Sequence, residues 1–469
     1  MELKSPISNL RSPISIMIDT AVSHPPTCKA VNLSPLRIPE IQRNPLAFLQ
    51  RNAAEHGDFI HYPLGLWEVF QLNHPDLIEH VLVTNQRNYN KNTVQYNTLA
   101  QITGRGLLTS DGRFWRRQRR MIQPSFHRQR VLGWGETMTS TTQSMLQKWD
   151  QAAHSGQPID IDQEMMAVTL SIVGQALLGL DLQAVASKLT HAVLVLLDYV
   201  VYRSQQIIPL PLTVPTSRHR LVRDGLKQLD KLIDMAIREH HEGRGQPDTI
   251  LSQMLAAVDR ESNEQMTRDE LRDEVITLLV AGHETAASGL NWLFYLLSQN
   301  PAVEEELVAE IDAVLNGRLP TTDDLAQLPT VERVIAEALR LYPPAWLITR
   351  RAMAADTLLG EPIPANALII MSPYTMHRHP NFWNKPDAFY PDHFLPSAEK
   401  DRPRYAYFPF GGGARLCIGD QFAKVEMGLI VTAVLQKYRL QLLPNHPVVA
   451  DPLVTIRPKH GMMMTIQRR

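Results

Sequence analysis

Beyond about residue 75, apolar residues recur mostly at three- and four-residue steps, the spacing that gathers them on one face of an α-helix. The longest such run, Leu271 to Leu297, is apolar on most faces, which predicts a helix buried in the core. Thr267-Arg268-Asp269-Glu270 opens it with a capping-box pattern, and Pro301 closes it after Asn300. A second helix is predicted from Pro329 to Leu341, stopped by Pro343-Pro344. Phe59 to Tyr62 and Glu68 to Leu72 read as short strands around a glycine-containing turn. Strand-like pieces return at Leu358-Leu359, Ala367 to Met371, Leu440 to Leu443 and Met462 to Ile466. Pro209, Pro211 and Pro215 mark one loop, and Gly243, Gly245 and Pro247 another. The pattern predicts a mainly α fold with a minor β region. It divides the chain into a flexible leader, residues 1–37, and one domain, residues 38–469; the alternative is a division near residue 245.

Composition narrows the class. Of 469 residues, 44% are apolar and 20% charged, enough for an ample core. A net charge of -1 argues against nucleic-acid binding through a basic surface. No apolar run approaches the roughly 18 residues of a membrane-spanning helix, and the first 37 residues lack the pattern of a signal peptide. The two cysteines, Cys28 and Cys417, do not suggest a disulfide, so a reducing, cytoplasmic setting is expected; the expected oligomeric state is a monomer.

Ala281-Gly282-His283-Glu284-Thr285 interrupts the apolar central helix. Polar groups there sacrifice helix propensity and risk lost hydrogen bonds, the kind of local violation that marks functional sites. Ala281 and Gly282 are small enough for a flat cofactor to lie against the helix. Thr285 can bond to bound dioxygen or back to a main-chain carbonyl, and Glu284 can feed protons inward. The simpler reading has His283 and Glu284 reaching solvent or an ion pair at a helix crossing. A zinc-protease reading fails because the second histidine falls at Ala287.

Phe410-Gly411-Gly412-Gly413-Ala414-Arg415-Leu416-Cys417-Ile418-Gly419 carries the strongest chemical signal. A cysteine thiolate can hold haem iron and push electron density toward oxygen. The glycines let the main chain wrap a sulfur, Arg415 favours its ionised form, and Gly419 permits close approach before a helix near Asp420. An inert buried cysteine in a glycine-rich turn is the simpler alternative. Glu337 and Arg340 share a face of the second helix; alone they read as a surface ion pair, but their apolar neighbours suggest a buried brace.

Together, in this order and spacing, these residues resemble the cytochrome P450 family of haem-thiolate monooxygenases over roughly residues 38 to 469. The resemblance implies haem b (iron protoporphyrin IX) between the central helix and the cysteine loop. It implies Cys417 as the axial iron ligand, Phe410 beside it, and Thr285 with Glu284 in oxygen activation. Trp115 and Arg119 match a propionate-binding Trp-x-x-x-Arg pattern; Arg351, Arg415 and Lys91 are further candidates for the haem cradle. Arg116, Arg117 and Arg120 would be a solvated face or a docking patch for an acidic electron carrier. Pro391-Asp392-His393-Phe394 departs from the family's Pro-Glu-Arg-Phe, so His393 would stand for the arginine that completes the Glu337–Arg340 network, and haem retention should be more sensitive to pH. Ala345, Trp346, Leu347 and Ile348 are expected in the substrate pocket, with Val193 to Tyr202 as a lid.

With no Gly-x-Gly-x-x-Gly strand–helix unit, electrons are expected from a ferredoxin or flavodoxin with its reductase. The expected reaction inserts one atom of O2 into a C–H bond of a hydrophobic molecule. Similarity of residues 102–109 and 339–351 to carotenoid-hydroxylating members favours a terpenoid or carotenoid. Fatty-acid hydroxylation, a peroxide-driven peroxygenase and a non-catalytic haem sensor are the alternatives.

Overall fold

The computed structural model describes residues 26–34, 37–64, 67–182, 186–206 and 210–469. Residues 1–25 of the expected leader, Gly65 of the first hairpin turn and Pro209 of the proline loop lie outside them. The central helix is Arg268–Gln299. Thr267 accepts from the Glu270 amide and the Glu270 carboxylate accepts from the Thr267 amide, so both halves of the capping box form. This helix packs along Ile161–Leu178, and its far end meets Pro329–Leu341 and Asp420–Lys437. Leu290, Trp292, Leu293 and Leu297 are buried with Leu429, Ile430 and Val434 in the main core, because apolar residues cover nearly every side of both helices.

A six-stranded sheet flanks the helical body in the order Cys28–Ala30, Phe59–Leu64, Trp67–Leu72, Leu368–Met371, Ile348–Ala352, Tyr89–Asn90. Trp67–Leu72 runs parallel to Leu368–Met371. A second sheet joins Ile159–Asp160 to Met463–Arg468 and Tyr438–Leu442. Segments on both sides of residue 245 therefore share both sheets, as they do not in two separately folded halves. The leader boundary at residue 37 is also too late: Cys28–Ala30 pairs parallel with Phe59, Ile60 and His61, and Val31 and Leu33 pack on the core. Among the described residues, no helix is long and apolar enough to cross a membrane.

Candidate active site

The Cys417 loop is shaped by what surrounds it. The Cys417 amide donates to the Phe410 carbonyl at 3.0 Å and the Gly411 amide to the Phe408 carbonyl at 2.9 Å. Gly413 has φ +62°, and a Cβ there would lie 1.8 Å from the Leu82 carbonyl oxygen, so only glycine fits. Leu82 belongs to a π-helical turn, His80–Thr84, and Gln86 just beyond accepts from the Ala414 amide at 3.0 Å. Such turns often accompany functional sites.

The Cys417 side chain can be reached by solvent, yet protein encloses it so closely that burial is the leading influence on its thiol, raising the pKa. Both hold for a sulfur facing an internal recess. The Gly419 amide and the charges of Arg119 and Lys91 pull the thiol back down, while Asp420 pushes it up. A bound metal ion deprotonates such a thiol outright.

Four cations converge beside this recess. Arg119 donates to the Leu416 carbonyl at 2.9 Å. Arg415 donates to the Ser110 carbonyl at 2.8 Å, pairs with Asp111, and lies 3.7 Å over the Trp115 ring. Lys91 is buried, with Nζ donating to the Leu108 carbonyl at 2.7 Å. Burial and then the charges of Arg350, Arg415 and Arg119 drive its pKa well down against Asp111. Arg415 is likewise lowered to about 10, first by burial, with Arg350 and Arg119 adding to the effect and Asp111 opposing it. Several guanidinium groups around one ammonium, with fewer carboxylates, Asp111 and Asp420, among them, make a receptor for further anions.

Arg350, which sequence reasoning missed, is the fourth cation of this cluster. It is buried and reaches Tyr96 Oη and the Thr349 carbonyl. Arg351, on the opposite face of the same strand, donates instead to the carbonyls of Asn92 at 2.7 Å and Asn366 at 3.1 Å. It also faces Trp67. The structure thus separates Arg351 from the four cations and supplies Arg350.

On the central helix, Thr285 donates to the Ala281 carbonyl at 2.7 Å, leaving its oxygen free to accept. Ala281 and Gly282 are partly accessible beside it, and a Cβ on Gly282 would come within 3.0 Å of Val173. Glu284 is 2% exposed. Burial pushes its pKa up to about 7; Arg457 and Thr455 oppose this and Asp162 reinforces it. His283 is fully buried, and neither ring nitrogen makes a well-formed hydrogen bond. The Met166 carbonyl lies close enough to favour a charged ring, but burial holds the pKa down at about 3. The ring is therefore neutral and carries no surface ion pair.

Glu337 and Arg340 form a bidentate pair at 2.7 Å with no exposure of either side chain. Arg340 also donates to the carbonyls of His377, Pro386 and Ala388. His393 Nδ1 meets both Glu337 oxygens at 3.1 and 3.2 Å, while Nε2 meets the Asn384 carbonyl. Both the Glu337 carboxylate and the Asn384 carbonyl are acceptors. Arg402 donates to the His393 carbonyl at 2.9 Å and stacks 4.1 Å over Trp383, within the field of Glu337.

The expected pocket residues divide. Trp346 is in the main core with Nε1 donating to the Leu453 carbonyl at 3.0 Å, and Ile348 packs in the cluster that holds Phe408. Their side chains are committed to those cores, while Ala345 is exposed and Leu347 half-buried. Val193, Leu196, Leu197 and Val200 are buried in a core shared with the Ser217–His241 helix. Phe410 is half-buried, with Lys424 5.8 Å over its ring. Gly419 sits before the Asp420–Lys437 helix as its N-cap.

The donor set fits haem: an enclosed thiol, small, partly accessible residues on the central helix, and four cations with Trp115 beside them. That arrangement defines a haem-thiolate oxygenase. The family model for cytochrome P450 matches residues 24–464, and the chain belongs to that family, as an oxidoreductase of the monooxygenase class. It is 36% identical over 425 residues to a cyclooctatin synthase of Streptomyces melanosporofaciens, covering 90% of each chain. It is 34% identical to a pentalenene oxygenase of Streptomyces avermitilis, over 92% of this chain and 94% of the relative. LUTEIN DEFICIENT 5, a chloroplastic protein of Arabidopsis thaliana, is 31% identical over 88% of this chain and 72% of its own. In fold, the chain is similar to a crystal structure of the cytochrome P450DA heme domain, with a TM-score of 0.83 at 26% identity, over 91% of this chain and 93% of that one.

Proposed function

We propose that this protein hydroxylates a terpenoid or carotenoid, using haem b held by Cys417 and electrons delivered by a separate ferredoxin or flavodoxin system. When bound, the haem supplies reductive activation of O2, with one oxygen atom entering a C–H bond and the other leaving as water. The chain's own residues supply the setting. Lys91, Arg119, Arg350 and Arg415, with Trp115, are positioned to neutralise the propionates. Thr285 accepts and passes on a hydrogen bond at the oxygen-binding face. Glu284, balanced near neutral pH, is suited to take a proton from the interior network and release it toward Thr285.

The observations that carry the reading are the acid–alcohol pair Glu284–Thr285 in the buried central helix and the enclosed Cys417 thiol beside a cluster of cations. A peroxide-driven enzyme has little need for that pair. The substrate class rests on likeness to relatives named for cyclooctatin, pentalenene and lutein. The test is a spectral titration of the haem-loaded protein with terpenes, carotenoids and fatty acids. The expected result is a saturable change in the iron's spin state with a terpenoid or carotenoid, and none with fatty acids at the same concentration. The reverse order overturns the substrate assignment. In Cys417→Ser the red-shifted ferrous carbon monoxide band should be absent, and its survival overturns the ligand.

A further inference from the structure

The Glu337–Arg340 brace lies in one helix and the cysteine loop in another part of the chain; His377 spans the gap. It follows the short helix Pro373–Met376 and is fully buried. The Phe408 amide donates to His377 Nε2 at 2.9 Å. Because an amide can only donate, Nε2 carries no proton. The ring's proton is then on Nδ1, which faces the Arg340 carbonyl at 3.3 Å. Arg340 Nη1 returns a bond to the His377 carbonyl at 2.8 Å. The tautomer is thus fixed from both sides, and Tyr407 and Phe408 hold the ring at centroid distances of 5.0 and 5.5 Å.

From Phe408 the route continues through hydrogen bonds already described. The Phe408 carbonyl accepts from Gly411, and the Phe410 carbonyl accepts from Cys417. The route is buried from the ion pair to Phe408 and half-buried at Phe410 and Gly411, and His377 is the junction between its two halves.

We propose that His377 is the positioning residue through which the Glu337–Arg340 brace holds the Cys417 loop in its ligating shape. This rests on Cys417 being the iron ligand. Two amide replacements separate its two bonds. His377→Gln can place an acceptor where Nε2 stood and so keep the Phe408 bond. His377→Asn reaches only the Nδ1 position and keeps the Arg340 contact alone.

The haem-loaded proteins are compared by the rate at which the red-shifted ferrous carbon monoxide band is lost on warming, and by hydrogen exchange at Phe408, Gly411 and Cys417. In His377→Asn, band loss should accelerate about tenfold and amide protection should fall about tenfold at all three positions, the effect of stranding one buried donor. His377→Gln should stay within about twofold of wild type on both measures. If His377→Asn leaves Cys417 protection and band loss unchanged, or if both variants fall equally, the proposal is overturned and the ring is packing alone. A wild-type protein lacking the band would instead refute Cys417 as ligand, and the exchange measurement would still decide the role of His377 in the loop.

Discussion

Glu284 shows how a single burial sets a charge. Its carboxyl is raised from the ordinary 4.5 to about 7 because burial outweighs Arg457. A carboxyl whose pKa is higher folded than unfolded resists ionisation, so it lowers stability progressively as pH climbs from about 4.5 through 7. Below that window the group is neutral in both states and has no effect. Glu284→Gln removes the penalty, so the variant should be more stable than wild type at pH 8 by about 3 kcal/mol, with the gap closing near pH 4. Denaturant unfolding at the two pH values measures it. Product formation should meanwhile fall by roughly a hundredfold or more as the proton route is lost. A second contrast concerns neighbouring arginines. Arg350→Ala should weaken haem retention by about tenfold to a hundredfold, the effect of losing a charge-assisted bond, and Arg351→Ala should change it little; haem transfer to apomyoglobin reads both. Two adjacent arginines look alike in a sequence. Which one faces the site depends on the pairing of Ile348–Ala352 with Leu368–Met371, and a slip of one residue exchanges the faces. By contrast, Glu284 and Thr285 were legible because they break an otherwise apolar helix.

The elements differ in how openly the sequence declares them. The central helix has a capping box, a long apolar run and a closing proline, three signals that agree. Cys28–Ala30 is three residues long with little burial, so it shows no alternation, and its place comes only from pairing with Phe59, Ile60 and His61. The π-helical turn His80–Thr84 has no signature either, since one extra residue in a turn hardly alters apolar spacing. That turn nonetheless presses its Leu82 carbonyl on the cysteine loop, while His80, Asn85 and Tyr89 around it converge on Asp356 at 2.9, 2.9 and 2.6 Å. With this anchorage the turn has little freedom to retreat. Gly413→Ala should therefore not fold around haem normally: both the positive φ and the Leu82 contact oppose the methyl. The expected result is a fall of several-fold or more in the haem-to-protein ratio at purification, checked by the pyridine haemochrome absorbance. A ratio equal to wild type would show that the π turn yields.

On the scale of the whole molecule, charge is arranged locally. Net charge is only -1, so long-range attraction of any charged partner depends on a patch. The helix Gly112–Ile122 presents Trp115 and Arg119 toward the cysteine loop and a row of arginines outward. Arg117 is taken up by Glu270 and the Gln265 carbonyl, and Arg120 by Asp259 and Glu261. Arg113 and Arg116 stay exposed. A partner docked on that face would be separated from the propionate cradle by one helix. If electrons arrive there from an acidic carrier, the second-order rate of haem reduction should fall as ionic strength rises and the field is screened within about 8–10 Å. Arg116→Glu should lower that rate by about tenfold at low salt, and the difference should vanish at high salt, the behaviour of a rim charge that steers encounter. Arg268, also exposed and paired with Asp234, lies at the start of the central helix, so Arg268→Glu supplies the matched control for net charge. Stopped-flow reduction under carbon monoxide reads all three proteins. Equal losses in both variants would show that overall charge, not this helix, attracts the carrier.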